Sequence, residues 1–348
     1  MDVRYLILVL TARCNLRCRY CYHGDGLEPA DMSMAVLEQA VGLAATAGSR
    51  FHLQLTGGEP TLVPTLVEAA ADRARKTGRC LTIGIQTNGT CLTQDMLRLF
   101  QQHDMQVGVS LDGPPQVHQA QRGMAAETLR GLQLLESARI PFRVTTVVTQ
   151  ANAARLDELV LILAGYSMAR GIGLDLLVRK GRTLGPEAVA QTDRATLDVG
   201  LQRMRATLDA VNARRAVPIQ WREWELLFPA ADKQKRRSGF CHAGLGQSLA
   251  VTPDGRIFPC AQTLDDPRFA AGTVWQPLDE ALTQLKTCRA QPDVCSACEV
   301  HAICPGDCPS RLFYNQSHEP LLACDLYRTL YRMDHGRPSS ATERESLP

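Results

Sequence analysis

Short apolar runs alternate with helix-period segments over the first two-thirds of the chain. The apolar runs are rich in β-branched residues and predict strands over residues 5–10, 51–55, 81–87, 106–111, 142–148 and 172–178. Apolar positions three or four residues apart predict helices over residues 34–47, 63–76, 94–102, 125–138, 154–166 and 194–212. Six βα units predict an α/β fold with a parallel sheet and outer helices. Since six units do not complete an eight-stranded barrel, we expect a partial (β/α)6 TIM-like barrel.

Polar and glycine-rich segments follow the first four predicted strands. A cysteine-containing loop follows the first strand, residues 56–60 follow the second, and Asn88 and Gly89 follow the third. Ser110 and residues 112–114 close the fourth strand. In parallel βα architectures the carboxyl ends of the strands form one rim that carries the active site. We therefore expect a functional site on this rim.

The composition of the chain argues against some classes of binding partner. The chain has 348 residues, of which 45% are hydrophobic and 21% are charged, and its net charge is +2. This balance argues against nucleic-acid binding, which usually needs a clear basic excess. No apolar stretch reaches the roughly 18 residues of a membrane span, and the apolar start of the chain has no signal-peptide cleavage site. We therefore predict a cytoplasmic protein without nucleic-acid or membrane partners.

The 13 cysteines are distributed unevenly. Three lie within residues 14–21 and eight lie within residues 241–324, while Cys80 and Cys91 stand apart. An odd number of cysteines in a protein of this class indicates metal binding or catalysis rather than a disulfide framework. The distribution predicts two separate sites, and we interpret Cys80 and Cys91 as structural.

The first site consists of Cys14, Cys18 and Cys21 on one short loop. Three soft thiolate ligands suit an iron–sulfur cluster or zinc. A four-iron cluster held by three cysteines has one iron without a protein ligand, and this iron can bind a small chelating molecule. The alternative is a structural zinc site in which His23 is the fourth ligand.

This cysteine spacing, with the aromatic pair Tyr20 and Tyr22, resembles the radical S-adenosylmethionine (SAM) superfamily. In that family the amino and carboxylate groups of SAM chelate the open iron, and a glycine-rich motif after the second strand meets the SAM amino group. The resemblance implies that Asn88 contacts the SAM ribose or carboxylate and that Ser110 and Arg122 hold the carboxylate. The implied cofactor-binding residues are Tyr20, Gly57, Gly58, Glu59, Asn88, Ser110 and Arg122.

Simpler interpretations of some of these residues stay open. Asn88 suits a left-handed turn before Gly89, and an isolated arginine such as Arg122 is most often a surface residue. Asp112 is expected to shape the turn at Gly113, and His118 is expected to be a packed residue or a helix-start residue.

Seven cysteines in the last third of the chain follow a long and constrained spacing. They are Cys241, Cys260, Cys295, Cys298, Cys304, Cys308 and Cys324. The spacing resembles the SPASM domain, which is appended to radical SAM enzymes and carries two auxiliary four-iron clusters. A zinc ribbon built from residues 295–308 is the alternative, but it leaves Cys241, Cys260 and Cys324 unexplained.

The resemblance implies two ligand sets in this region. The outer cluster would be held by Cys295, Cys298, Cys304 and Cys324, and the inner cluster by Cys241, Cys260 and Cys308. Some relatives have a fourth inner cysteine where this chain has Gln247. The inner cluster would then have an open iron, which suits a substrate thiolate, or a ligand from elsewhere. Cys288 is the leftover candidate, and a structural role is its alternative. The implied cofactors are SAM and three [4Fe-4S] clusters.

The resemblance also implies a reaction. An electron from a flavodoxin or ferredoxin enters the first cluster, SAM is cleaved, and a 5′-deoxyadenosyl radical takes a hydrogen atom from the substrate. Most characterised relatives act on peptides. We therefore expect a maturase that cross-links a ribosomally made precursor peptide through a thioether, carbon–carbon or carbon–oxygen bond.

Other functions remain as alternatives. In SPASM enzymes that convert a sulfatase residue to formylglycine, an aspartate follows the second SPASM cysteine, and Ala261 occupies that position here. An oxidoreductase acting on a small molecule stays open. A non-catalytic electron carrier is disfavoured because residues such as Gly57, Asn88 and Arg122 would then serve no purpose.

The expected domains are a radical SAM partial barrel over residues 1–215, a connector over 216–240, a SPASM domain over 241–330 and a disordered tail over 331–348. The first strand leaves no room for an N-terminal leader-binding segment, so we expect a separate leader-recognition protein or another surface. The basic run of the connector is one candidate, and a solvated surface is its alternative. This run consists of Lys233, Lys235, Arg236 and Arg237.

Overall fold

The computed structural model describes residues 2–24, 30–229, 240–288, 295–316 and 321–336. The strands are β1 (Tyr5–Val9), β2 (Phe51–Thr56), β3 (Cys80–Thr87), β4 (Met105–Ser110), β5 (Phe142–Val148), β6 (Ala169–Leu176), β7 (Gln220–Trp221), β8 (Ser248–Val251), β9 (Ile257–Phe258), β10 (Gly272–Thr273) and β11 (Gln276–Pro277). The helices are α1 (Met34–Thr46), α2 (Pro64–Lys76), α3 (Gln94–Gln102), α4 (Pro115–Gln121), α5 (Ala125–Ser137), α6 (Leu156–Ala164), α7 (Arg194–Asn212), α8 (Arg222–Leu227), α9 (Pro309–Asn315) and α10 (Leu322–Asp334).

The main sheet has nine strands in the order β7-β6-β5-β4-β3-β2-β1-β8-β9. Strands β1 to β7 are parallel to their neighbours, and a helix follows each of the first six strands. Because β7 and β9 lie at the two edges, the sheet is open. The predicted α/β class is confirmed, and the carboxyl ends of six parallel strands share one rim.

Local signals explain where several of these elements begin. The side chains of Ser33, Thr93 and Asp193 cap α1, α3 and α7 by accepting hydrogen bonds from backbone N–H groups of the first turn. Helix α4 was not predicted, because a run of seven residues is too short for a clear helical period. No helix among the described residues is long and apolar enough to cross a membrane.

The cysteine-rich region also contributes to the main sheet, which the hydrophobic pattern did not predict. Strand β8 pairs in parallel with β1, and β9 returns antiparallel to β8. Ile7 and Val9 of β1 pack with Phe258, Phe269 and Leu285 in a second buried apolar cluster. Burial of this cluster fixes the cysteine-rich region against the barrel.

Regular elements lie in two stretches near the predicted domain boundaries. The stretch expected as a connector contains β7 and α8, both packed beside β6, while its basic residues 233–237 lie outside the described residues. Helix α10 continues past residue 330, where we expected the tail to begin, because its buried Leu326 and Leu330 join the main core. Residues 337–348 of that predicted tail also lie outside the described residues.

Candidate functional site

The first cysteine loop leaves the end of β1 beside the loop that follows β2. The backbone N–H of Gly58 donates to the carbonyl of Thr11 at 2.8 Å, and that of Glu59 donates to the carbonyl of Arg13 at 2.9 Å. A Cβ on Gly57 would lie 2.6 Å from the Thr11 oxygen, and one on Gly58 would lie 2.6 Å from the Arg13 carbonyl carbon. The two glycines are therefore required for the close approach of the two loops.

The three thiols of this loop lie near one another. Burial, and to a lesser extent the thiols of Cys18 and Cys21, raise the pKa of Cys14 to about 11. Burial also raises the pKa of Cys18, with Cys21 acting in the same direction and the Arg122 guanidinium opposing it. The three cysteines of the predicted set are thus near enough to influence one another.

The geometry gives no support to a single-zinc site. Among the described residues, no three His, Cys, Asp or Glu side chains converge as the ligands of one metal ion would. In a four-iron cluster each cysteine binds a different iron, so its thiolates stand farther apart than the ligands of one ion. His23 is partly buried, and burial lowers its pKa to about 4.

Glu59 connects the β2 loop to the end of β3 rather than facing open space. Its carboxylate accepts hydrogen bonds from the hydroxyl of Thr61 at 2.6 Å, the hydroxyl of Thr87 at 2.6 Å and the backbone N–H of Asn88 at 2.7 Å. The side chain is 1% exposed, and burial raises its pKa despite these donors. Glu59 thus acts on the site by fixing the position of Asn88.

Asn88 joins the cysteine loop to the β3 loop. Its amide donates to Asn15 Oδ1 at 2.9 Å, while its own oxygen accepts from the Thr90 backbone at 2.9 Å. Asn15 in turn donates to the Thr90 hydroxyl at 2.7 Å. Asn88 therefore shapes the turn before Gly89, as the simpler interpretation expects. It also lies beside the cysteine loop, where a SAM-contacting residue is expected. Sequence reasoning missed Asn15, which lies directly after the first cysteine.

Arg122 is held by a buried carboxylate beside the cysteine loop. Its Nε donates to Asp112 Oδ2 at 3.0 Å and its Nη2 donates to Asp112 Oδ1 at 3.1 Å. The hydroxyl of Tyr20 donates to the same carboxylate, and the guanidinium lies over the Tyr20 ring. The side chains of Arg122 and Asp112 are 9% and 0% exposed, so Arg122 is not a surface arginine.

Asp112 has a larger role than shaping the turn at Gly113. Besides Arg122 and Tyr20, it accepts a hydrogen bond from the Val147 backbone at 3.1 Å, which ties β4 to β5. The Asp112 backbone N–H donates to Nδ1 of His118, which is fully buried as a packed residue. A lone aspartate in a turn motif gives no sign of such a network, and so sequence reasoning missed it.

Polar side chains line the interior face of the sheet. Ser110 accepts a hydrogen bond from Gln86 Nε2 at 3.1 Å, instead of meeting Arg122 directly. A Cβ on Gly84 would lie 2.8 Å from Oε1 of Gln54, and a Cβ on Gly108 would collide with Gln86. Glycine at these two positions lets the glutamines lie across the neighbouring strands, which makes the interior hydrophilic.

The loop after β6 packs directly against the cysteine loop. The backbone N–H of Arg182 donates to the carbonyl of Cys21 at 3.0 Å, and Gly181 has a φ of +63° beside the backbone of Cys21 and Tyr22. Nothing in the sequence of this loop indicates that contact. It brings a second segment of the rim against the candidate cluster site.

The inner cysteine set is also brought together. Burial raises the pKa of Cys260 to about 12, with Cys308 and Cys241 as the nearest charged groups that raise it further. Cys308 likewise raises the pKa of Cys241, after burial. Gln247, at the position of the missing fourth ligand, instead donates to Asp2 at 2.9 Å.

The outer set forms a separate group. Burial raises the pKa of Cys304, and Cys298 and Cys295 raise it further. Burial, Cys304 and Cys295 raise the pKa of Cys324 to about 11, against the opposing charge of Arg328. Soft thiolates in sets of three and four are the donors that iron–sulfur clusters require.

Cys288 packs against the same apolar cluster as Cys241 and Cys260. Burial raises its pKa and a hydrogen bond to Thr287 lowers it, and no inner thiol contributes. This pattern favours the structural interpretation of Cys288.

Known proteins resemble this chain over most of its length. The family model described as the Radical SAM superfamily matches residues 8–161. An uncharacterised protein of Methanocaldococcus jannaschii is 32% identical over 74% of this chain and 85% of its own. The serine-type anaerobic sulfatase-maturating enzyme of Klebsiella aerogenes is 28% identical over 86% of this chain and 78% of its own. The subtilosin biosynthesis protein AlbA of Bacillus subtilis is 25% identical over 78% of this chain and 58% of its own.

Solved structures show the same fold. The structure of anSMEcpe with bound AdoMet superposes with a TM-score of 0.77 at 20% identity, covering 96% of this chain and 97% of that one. Streptococcus suis SuiB bound to S-adenosylmethionine superposes with a TM-score of 0.68 at 15% identity, covering 92% and 76%.

Proposed function

The chain belongs to the radical SAM superfamily, and we propose that it is a maturase that abstracts a hydrogen atom from a ribosomally made precursor peptide and installs a cross-link. The cross-link would be a thioether, carbon–carbon or carbon–oxygen bond. Two relatives support a peptide substrate: AlbA, named for subtilosin biosynthesis, and SuiB, solved bound to its precursor peptide SuiA. The proposed electron donor is a flavodoxin or ferredoxin, and a leader-recognition protein is a further proposed partner.

Cys14, Cys18 and Cys21 would hold the SAM-binding cluster, and the rim residues around them would hold SAM. When bound, the reduced cluster and SAM supply a 5′-deoxyadenosyl radical that removes a hydrogen atom from an unreactive carbon. Glu59 positions the backbone of Asn88, and Asp112 positions Arg122 and Tyr20 beside the cysteine loop. Asp112 holds the Arg122 guanidinium beside the Cys18 thiol, and the proposal is that this guanidinium binds the SAM carboxylate.

The observation that supports the proposal is that the loop after β6 contacts both cysteine regions: the Arg182 backbone N–H donates to the Cys21 carbonyl at 3.0 Å, and Lys180 donates to the Leu264 carbonyl, four residues after Cys260. Tyr22, which directly follows Cys21, is partly buried, and burial raises its pKa, with Cys21, Cys260 and Asp175 raising it further. We infer that the first and inner sets face a common space beside the loop after β6. A substrate between the two sets would be close to SAM and to an inner cluster with three cysteine ligands, where an open iron suits a thiolate.

Formylglycine formation is the second candidate, because a sulfatase-maturating enzyme is among the relatives. Ala261, the residue after Cys260, cannot act as the base that an aspartate supplies in those enzymes. It begins a short 3-10 helix, and Gln262, not a carboxylate, accepts the hydrogen bond of Ser310 beside Cys308. The missing carboxylate favours the cross-linking proposal.

The test is an anaerobic incubation of reconstituted protein with SAM, dithionite and the short peptide encoded beside its gene. We expect 5′-deoxyadenosine together with a peptide that has lost two hydrogens, and fragmentation then locates the new bond. In parallel, a sulfatase-derived peptide should stay unchanged. Formylglycine in the sulfatase peptide, with no change in the adjacent peptide, would contradict the proposal and establish the second candidate.

A further inference from the structure

One buried ion pair lies between the inner and outer cysteine sets. Helix α9 begins directly after Cys308, and Arg311 lies one turn into it. Arg311 Nη2 donates to Asp307 Oδ1, which also accepts the backbone N–H of Cys308 at 2.6 Å. The two side chains are only 11% and 4% exposed. The pair is therefore fixed against an inner ligand by both the helix and the carboxylate.

Both charges of this pair lie beside the inner ligand Cys308, and the aspartate also lies near the outer set. Burial raises the pKa of Cys304 and of Cys324 in the outer set, and Asp307 is among the groups that raise both further. Asp307 and the inner thiol of Cys308 keep the Arg311 guanidinium charged by raising its pKa against the effect of burial. The pair therefore lies beside the inner ligand Cys308, and Asp307 also lies near two thiols of the outer set.

The guanidinium also has a donor without an acceptor. Arg311 Nη1 approaches the Leu176 carbonyl at 3.5 Å, but the buried Nε–H has no hydrogen-bond partner in the part of the chain that the structure describes. Buried N–H groups rarely lack an acceptor. The thiolate and sulfide sulfurs of an iron–sulfur cluster are acceptors, and hydrogen bonds to them and local charge set the reduction potential.

We propose that Arg311 donates its Nε–H to the inner cluster and that the Asp307–Arg311 pair sets the reduction potential of that cluster. This inference rests on the proposed function, which places a cluster on Cys241, Cys260 and Cys308. Reduction adds one negative charge to the cluster, so the arginine stabilises the reduced form and raises the midpoint potential. The aspartate offsets part of that effect.

The experiment is a redox titration of the full, reconstituted chain followed by electron paramagnetic resonance. The inner-cluster signal is assigned by its loss in Cys308→Ser. We expect Arg311→Gln to lower the inner midpoint potential, Arg311→Lys to lower it less, and Asp307→Asn to raise it. The matched control is Arg205→Gln, which removes an exposed arginine–aspartate pair of the same i,i+4 spacing on α7.

An electrostatic role predicts that the inner midpoint potential shifts in opposite directions in Arg311→Gln and Asp307→Asn. A general loss of structure would shift the midpoint potential in the same direction in both variants. An unchanged midpoint in Arg311→Gln at wild-type iron content would overturn the inference. Should Arg311→Gln fail to load iron, a midpoint in Asp307→Asn that does not rise would overturn it. A wild-type chain that cleaves SAM but has no inner-cluster signal would overturn it as well, and would leave the radical SAM assignment standing.

Discussion

We expect the interaction between Asp112 and Arg122 to contribute strongly to the free energy of unfolding. The paired atoms lie 3.0 Å apart with side chains 0% and 9% exposed, and Coulomb's law with an effective dielectric constant of about 20 gives an attraction of about 5 kcal/mol. Removing one partner leaves a buried, unpaired charge, which typically costs about 3–5 kcal/mol. We therefore expect Asp112→Ala to lower the free energy of unfolding by about that amount.

A double-mutant cycle separates the pair from its surroundings. Arg122→Met in the Asp112→Ala background removes the unpaired guanidinium, so the double variant should be more stable than the sum of the single losses predicts. The measurement is urea unfolding of the reconstituted chain by tryptophan fluorescence, where a loss of this size moves the midpoint by about 1 M. The exposed pair Arg98–Asp95 is the control, with little coupling expected. Additive losses at Asp112 and Arg122 would refute the reasoning.

Three further predictions follow from single positions. Gly58→Ala should reduce iron incorporation at the first site, because the added Cβ would collide with the backbone of the cysteine loop. The control is Gly42→Ala, which should keep the wild-type iron content because the space around its Cβ is open. Equal iron content in the two variants would contradict the requirement for glycine at position 58. Cys308→Ser should lower iron and sulfide content while Cys288→Ser leaves both unchanged, and a loss in Cys288→Ser would assign it as a ligand. Burial lowers the pKa of His118 to about 4, so the folded state disfavours protonation and loses stability as the pH falls from 6.5 toward 4. When the pH falls from 7 to 5, the free energy of unfolding of the wild type should decrease by about 2 kcal/mol more than that of His118→Gln. Equal decreases in the two proteins would argue against a lowered pKa of His118.

Local patterns were enough to predict the parallel strands and the two cysteine-containing regions. The βα period predicted the strands to within a few residues, because each buried strand is a short apolar run between helices of clear period. The division of the C-terminal cysteines into an inner and an outer set was implied by the resemblance to the SPASM domain, because the two sets alternate along the chain.

Contacts between segments distant in sequence could not be predicted from local patterns. Strand β8 pairs with β1 across more than 230 residues, and its four-residue apolar run carries no sign of its partner. The inward direction of Glu59 and Asp112 depends on donors from neighbouring loops, which appear only after folding. The same is true of Arg311, whose importance comes from the carboxylate and thiols around it.

The central claim is that this chain uses Cys14, Cys18 and Cys21 to cleave SAM reductively. The most direct test compares 5′-deoxyadenosine released from SAM and dithionite by the reconstituted wild-type chain and by the Cys14→Ala/Cys18→Ala/Cys21→Ala variant. The account predicts release by wild type and none by the variant, which should still bind iron at its C-terminal cysteines. Iron-loaded wild type that releases no 5′-deoxyadenosine, or a variant that releases as much as wild type, would contradict it.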